Sequence, residues 1–450
     1  MDELMYVYGT AGMILAYFLV QVLTRRFDPF APVWLFLVGY VHVYIIQALS
    51  YHEWGVGVRG KDLVAAANWR ALWALAWFLA VYHSGIGRRA AALLRRPPAG
   101  WSPTFVAVLS PPLVLWGLYC SGHLIGEGFD DVTSVAPEVA LVRSFPFVLM
   151  VAAILMIVTG RTRTAPRPAF LAPGLLCALA YVLLWMFNGK RSHSLIAVLS
   201  TICALYTTRL KRPSWPVLVT TACAGVLVVA LAIGWRNDRS HERSLAGFAT
   251  FVGDFQLARI LESLNLSDGD EELDTYETTE YGGFLLMMDT VPEKSGYDYG
   301  ANYIRLVSTF IPRIVWPTKP LYGRQQWVNA WIAGSELERD ETFTSPAIGI
   351  LGATQLNGGA IGTWIVLAVV ALVLRTAYEY FRLHAGAPWT QFWWSITYYN
   401  AWFMVVNDDP LVWFYYNWGF TTFPFVILMW WASKPAGAPA TSARPCSGVA

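Results

Sequence analysis

Apolar residues run in blocks of about twenty along most of this chain, separated by short polar turns. A bilayer core of roughly 30 Å takes a helix of that length. Eleven such blocks stand out, at roughly 5–24, 30–50, 66–84, 104–122, 140–159, 170–187, 192–208, 215–235, 360–378, 389–406 and 411–432. They predict an all-α polytopic integral membrane protein with about 11 transmembrane helices. One long polar interval interrupts the series. The chain therefore divides into a bundle of about eight spans over 1–235, a large extracytoplasmic loop over 236–359, about three further spans over 360–432, and a Pro/Ala/Ser-rich tail at 433–450 that reads as disordered.

Short helices are expected inside the loop. Leu245, Phe248, Phe251, Val252, Phe255 and Leu261 recur at helical spacing, as in an amphipathic helix on the membrane or capping the bundle, or in a small soluble subdomain. An acidic run from Asp268 to Glu280 reads as a solvated linker, and a short apolar helix follows over Gly282 to Asp289. Ser345 and Pro346 resemble an N-cap and first helical position. The apolar run they open is too short to cross a bilayer and ends at Asn357-Gly358-Gly359, which suits a re-entrant half-helix.

Composition agrees with the pattern. Of 450 residues, 56% are hydrophobic and only 14% charged, with a mean hydropathy of +0.44. A soluble domain carries about a quarter charged residues. The 22 tryptophans fit aromatic belts at both interfaces. A net charge of +2 gives no basic field for nucleic acid. The five cysteines form no disulfide framework and have no metal-ligand spacing, so neither a metal nor a cofactor is expected. The start, MDELMYVYG, lacks a basic n-region and reads as the beginning of a span.

Charge sets the expected orientation. Alternate loops hold Arg25 and Arg26, then Arg88, Arg89, Arg95 and Arg96, then Arg161, Arg163 and Arg167, then Arg209, Lys211 and Arg212, then Arg375 and Arg382. The intervening loops are acidic or sparse. By the positive-inside rule the N-terminus lies outside, the C-terminus in the cytoplasm, and the long interval outside.

Some charges break this order. Lys190 and Arg191 sit in a short outer turn beside His193, while Arg70 and Arg143 fall inside the outer ends of spans. Snorkelling to lipid phosphate is one reading of such residues, and an anion site is the other. With Arg236 they share one level, and the cytoplasmic halves of the spans read as free of charge. The stretch 300–323, GANYIRLVSTFIPRIVWPTKPLYG, adds Arg305, Arg313, Lys319 and Trp316 on a proline-stiffened segment over the same face.

A ring of cations matches the oxygens of a diphosphate, and aromatic faces suit sugar rings. Asp408 or Asp409 in the last outer loop, or His193 or His241, are candidates to take a proton from a sugar hydroxyl. A diphosphate leaving group stabilised by arginines needs no metal.

GKRSHSLIAVLS at 189–200, PRIVWPTKP at 312–320 and TFTSPAIGILGA at 342–353 resemble the bacterial O-antigen (oligosaccharide repeat-unit) polymerase family over roughly 180–375. The resemblance implies a fold like the C-type superfamily of membrane glycosyltransferases. It implies a cytoplasmic-membrane enzyme that joins repeat units carried on undecaprenyl diphosphate, without a metal, beside a flippase and a chain-length regulator. It places Lys190, Arg191, Arg313 and Lys319 at motif positions. An O-antigen ligase and a flippase of lipid-linked glycans are the alternatives. A transpeptidase using Cys120 near His123, and a scaffolding role, explain fewer of the charges.

Overall fold

The computed structural model of the chain describes residues 3–98, 100–126, 147–163, 166–189, 191–237, 241–242, 244–254, 279–294, 296–300, 316, 348–406 and 423–434. These are almost entirely helical. In chain order the helices are α1 (Glu3–Leu23), α2 (Pro32–Ser50), α3 (His52–Arg59), α4 (Lys61–His83), α5 (Ile86–Leu93), α6 (Pro103–Gly126), α7 (Phe147–Arg161) and α8 (Leu171–Phe187). They continue with α9 (Arg191–Thr207), α10 (Trp215–Asn237), α11 (Leu245–Gly253), α12 (Glu280–Thr290), α13 (Gly349–Leu383), α14 (Pro388–Ser395), α15 (Asn400–Val406) and α16 (Phe423–Ala432).

Seven helices among the described residues are long and apolar enough to span a bilayer: α1, α2, α4, α6, α8 with its leading turn, α10 and α13. Two shorter apolar helices, α7 and the greater part of α9, stand where two further spans were expected. The expected span at 389–406 is broken instead. Its helix stops at Ser395 and resumes at Asn400, after turns over Ile396 to Tyr399. Of 411–432, only the part from Phe423 lies within the described residues.

The bundle has two groups around α14 and α15. In the first, α2 and α4 join through the stacked rings of Phe36 and Phe78, 3.7 Å apart, and through the Tyr40 hydroxyl, which donates to the Ala71 carbonyl at 2.6 Å. In the second, α7 is the axle. Every residue from Phe147 to Gly160 is buried, so a helix apolar on all sides presents no face outward. Its neighbours approach closely because glycines line the crossings. Gly174 of α8 lies against Ala153 and Ile157, and Gly117 of α6 against the backbone of Leu149.

The loops rich in Lys and Arg meet at one end of the bundle. Phe27 stacks on Trp215 at 5.2 Å, the Tyr380 hydroxyl donates to the Arg95 carbonyl at 2.8 Å, and Trp101 Nε1 donates to Thr159 Oγ1 at 3.0 Å. Ser433 and Lys434, the first residues of the expected disordered tail, pair as a short antiparallel strand with Gly100 and Trp101. Residues 435–450 lie outside the described residues.

This basic end is not free of buried charge, contrary to the expectation from sequence. Helix α13 runs to Leu383, past the expected end of its span, and Arg375, counted with the loop by its charge, is helical and partly buried in the bundle. Arg375 and Arg382 both pair with Glu379, at 2.5 and 3.5 Å, and Glu379 is buried. Asp28 accepts from the Tyr378 hydroxyl at 2.5 Å and from the Phe30 amide at 3.0 Å. Paired charges of this kind tolerate a low dielectric. The spacing Arg-x3-Glu-x2-Arg, one face of a helix, was the signal for it.

A methyl group on Gly117 would come within 2.6 Å of the Leu149 amide nitrogen, whereas one on Gly122 would meet nothing within 4 Å. Both replacements gain the same helix propensity. Gly117→Ala should therefore destabilise the protein by about 1–3 kcal/mol relative to Gly122→Ala, read as a lower Tm in detergent.

Candidate functional site

At the end of the bundle opposite the basic loops, α12 wedges between α2, α3, α4 and α13. Its sequence explains its start: Thr279 is the N-cap, accepting from the Gly282 amide at 3.2 Å. The helix runs from Glu280 to Thr290, matching the short apolar helix expected there but beginning two residues earlier. Glu280, grouped by sequence with the acidic linker, is thus its first helical residue. The rest of that linker, 268–278, lies outside the described residues, as do Phe255 and Leu261 of the expected amphipathic helix.

The polar side chains of α12 face partners on the spans. The Glu280 carboxylate accepts from Gln47 Nε2 at 2.6 Å, and Gln47 Oε1 accepts from the Tyr281 amide at 3.0 Å. The Tyr281 hydroxyl donates to Asn68 Oδ1 at 2.8 Å, and Asn68 Nδ2 donates to the Glu3 carbonyl at 3.2 Å. Asp289 pairs with Arg59 at 2.8 Å and Lys294 at 3.6 Å. Gln47 ends a six-residue π segment, His42–Gln47, within α2. Such segments collect at functional sites because the extra residue re-aims side chains.

Helix α13 supplies the second wall. At Gly358 and Gly359 the backbone leaves helical geometry, with φ values of 158° and 61°. Thr354 and Thr363 then meet, hydroxyl to hydroxyl, at 2.8 Å. In a continuous helix nine positions are separated by about 14 Å, so the chain doubles back here. The first limb, Gly349 to Asn357, is buried throughout. Its N-cap is Ile348, and it starts at Gly349 with φ of +59°, so the expected cap at Ser345 and Pro346 is not the cap of this helix. Those two residues lie outside the described residues. The limb is fastened at both ends. The Leu351 amide donates to the Tyr44 hydroxyl at 2.9 Å, and the Leu356 carbonyl accepts from the Asp298 amide at 2.8 Å.

Arg70 meets this limb. Its guanidinium donates to Gln355 Oε1, while Gln355 Nε2 donates to the Val291 carbonyl at 2.6 Å. Arg70 lies nine residues into α4, about 14 Å from the start of that helix. Among the described residues it pairs with no carboxylate. Its position inside an apolar helix is as expected from sequence, and its partner is a neutral amide.

A second cluster forms in the other group of helices. Gly189, at φ of +63°, closes the turn between α8 and α9, and Trp235 Nε1 donates to the Phe187 carbonyl at 2.7 Å. This bond sets the end of α10, with Arg236 in it, beside the turn that leads into Arg191. His193 stacks on Trp185 at 4.1 Å. Helix α11, N-capped by Ser244, packs Phe248 on Trp235 at 5.2 Å, as the bundle-capping reading of that segment expects.

The structure thus brings Arg191, His193 and Arg236 to one place and Arg70 to another. The side chains of Arg191 and Arg236 are not among those described. Trp316 is exposed. Lys190, Arg143, Arg305, Arg313, Lys319, Asp408 and Asp409 lie outside the described residues. Sequence reasoning missed Gln47, Asn68, Glu280, Tyr281 and Gln355. The available signal was uncharged polar residues inside apolar spans, at Gln47 and Asn68.

Tyr281→Phe should leave the buried Asn68 oxygen without its donor. The expected cost is about 1–3 kcal/mol, checked by thermal unfolding in detergent. No family model, curated protein or solved structure matches this chain.

Proposed function

We propose that this protein is a glycosyltransferase that joins undecaprenyl-diphosphate-linked oligosaccharide repeat units into an O-antigen or exopolysaccharide at the outer face of the bacterial cytoplasmic membrane. The observation that carries the reading is Arg70: a cation inside the bundle, aimed by Gln355 and paired with no carboxylate among the described residues. Charge within a span is costly and is kept where it has a partner or a substrate. The basic loops share the other end of the molecule and face the cytoplasm under the positive-inside rule, which turns Arg70 outward. There a lipid-linked diphosphate presents its oxygens at the membrane surface. The doubled-back limb of α13 acts as a re-entrant half-helix, and the motif residues Lys190, Arg191, Arg313 and Lys319 are further candidate cations for the same donor.

Reconstitution into vesicles with a synthetic undecaprenyl-diphosphate repeat unit tests the activity. Longer lipid-linked glycans should appear, and Arg191→Ala and Arg313→Ala should abolish them while the protein still inserts. Transfer only onto a lipid-core acceptor would identify a ligase instead. Arg70→Ala should weaken donor binding about 10- to 100-fold, the loss of one hydrogen bond to a charged group. Orientation is tested separately: a cysteine replacing the exposed Glu293 should react with an impermeant reagent from outside the cell. One replacing Arg88 should react only from the cytoplasm, and the reverse pattern would overturn the topology.

A further inference from the structure

Glu280 is the counterpart of Arg70. We infer that Glu280 is the catalytic carboxylate of the proposed transfer, the group that takes the proton from the acceptor sugar's hydroxyl. This rests on the functional reading above and extends it to a residue outside the motifs that carry the family resemblance.

The geometry supports a base with open coordination. Among the described residues the carboxylate's hydrogen-bond partner is Gln47 alone, through one oxygen. The cations Arg59 and Lys294 are engaged by Asp289, at the other end of α12. Gln47 cannot rotate to offer its oxygen, because that oxygen already accepts from the Tyr281 amide. The carboxylate is therefore aimed by a neutral group. Its field reaches Tyr51, whose hydroxyl pKa is raised first by burial and then by Glu280.

Glu280 and Arg70 stand at the two ends of one short helix. A Cβ built on Gly349 would lie 3.5 Å from the Cβ of Glu280, and Gln355, which holds Arg70, is six residues further along. At 1.5 Å per residue that is about 9 Å. The π segment of α2 fixes this spacing from one side. Tyr44 receives the Leu351 amide in the first turn of the limb, and Gln47, three residues later, holds Glu280. A diphosphate at Arg70 and an acceptor hydroxyl at Glu280 then flank the sugar to be transferred.

The step balances. The acceptor hydroxyl oxygen attacks the anomeric carbon of the donor's first sugar and forms the new glycosidic bond. The bond from that carbon to the diphosphate oxygen breaks, and the polyprenyl diphosphate leaves with the electron pair. The hydroxyl proton passes to Glu280. Asp408 and Asp409, the carboxylates that the sequence offered, are not needed as the base.

Glu280→Gln tests this, since it keeps an oxygen for Gln47 Nε2 and so preserves the local fold. Reconstituted in vesicles with the undecaprenyl-diphosphate repeat unit, it should elongate about 10²- to 10⁴-fold more slowly than wild type while binding the donor unchanged. Glu280→Asp should recover part of the rate. Elongation by Glu280→Gln at the wild-type rate would overturn the assignment and leave the polymerase reading standing. Wild-type protein that binds the donor yet transfers to no acceptor would overturn both.

Discussion

The cost of an unpaired charge among membrane helices governs how this molecule is put together. At the basic end it is met by pairing. Arg375 and Arg382 share Glu379, and Asp28 is held by Tyr378 and its own turn. At the opposite end, among the described residues, it is met in part only. Asp289 takes Arg59 and Lys294, but Arg70 and Glu280 are each held by a glutamine. Two opposite charges within one polar layer, each oriented by a neutral amide and neither neutralised by the other, are an arrangement that packing alone does not favour.

That layer depends on a backbone device. The limb from Gly349 to Asn357 reaches its place because Gly358 and Gly359 turn the chain back on itself, and Gly359 at φ of 61° also makes room for the Tyr297 hydroxyl, 2.8 Å from where a Cβ would stand. The limb's backbone polar groups are satisfied by Tyr44 at one end and by Asp298 at the other. Irregular backbone inside a membrane protein survives where protein groups replace water as partners.

The long apolar helices were legible because twenty consecutive apolar residues admit little else, and α2, α8 and α10 lie close to where periodicity put them. The glycine pair ending the short limb was legible too. Three features were not. The break in the span at 389–406 hides in a run of Trp, Tyr and Thr whose composition suits a helix throughout. Arg375 reads as a loop residue because the positive-inside rule sees its charge and not Glu379 four places on. Glu280 is camouflaged by the acids before it. Only the fold separates it from them, through a contact with a residue 233 positions away.

Gln47 and Gln355 decide how the polar layer should be read. A carboxylate at position 355 would neutralise Arg70, and a cation at position 47 would neutralise Glu280, each giving a buried ion pair like that of Arg375 and Glu379. Amides in both places keep the side chains aimed without cancelling their charges, and among the described residues no opposite charge does so. In the proposed transfer, orientation without neutralisation is what an anionic leaving group and an acceptor proton would require of their partners, because the charge must be available when a substrate arrives.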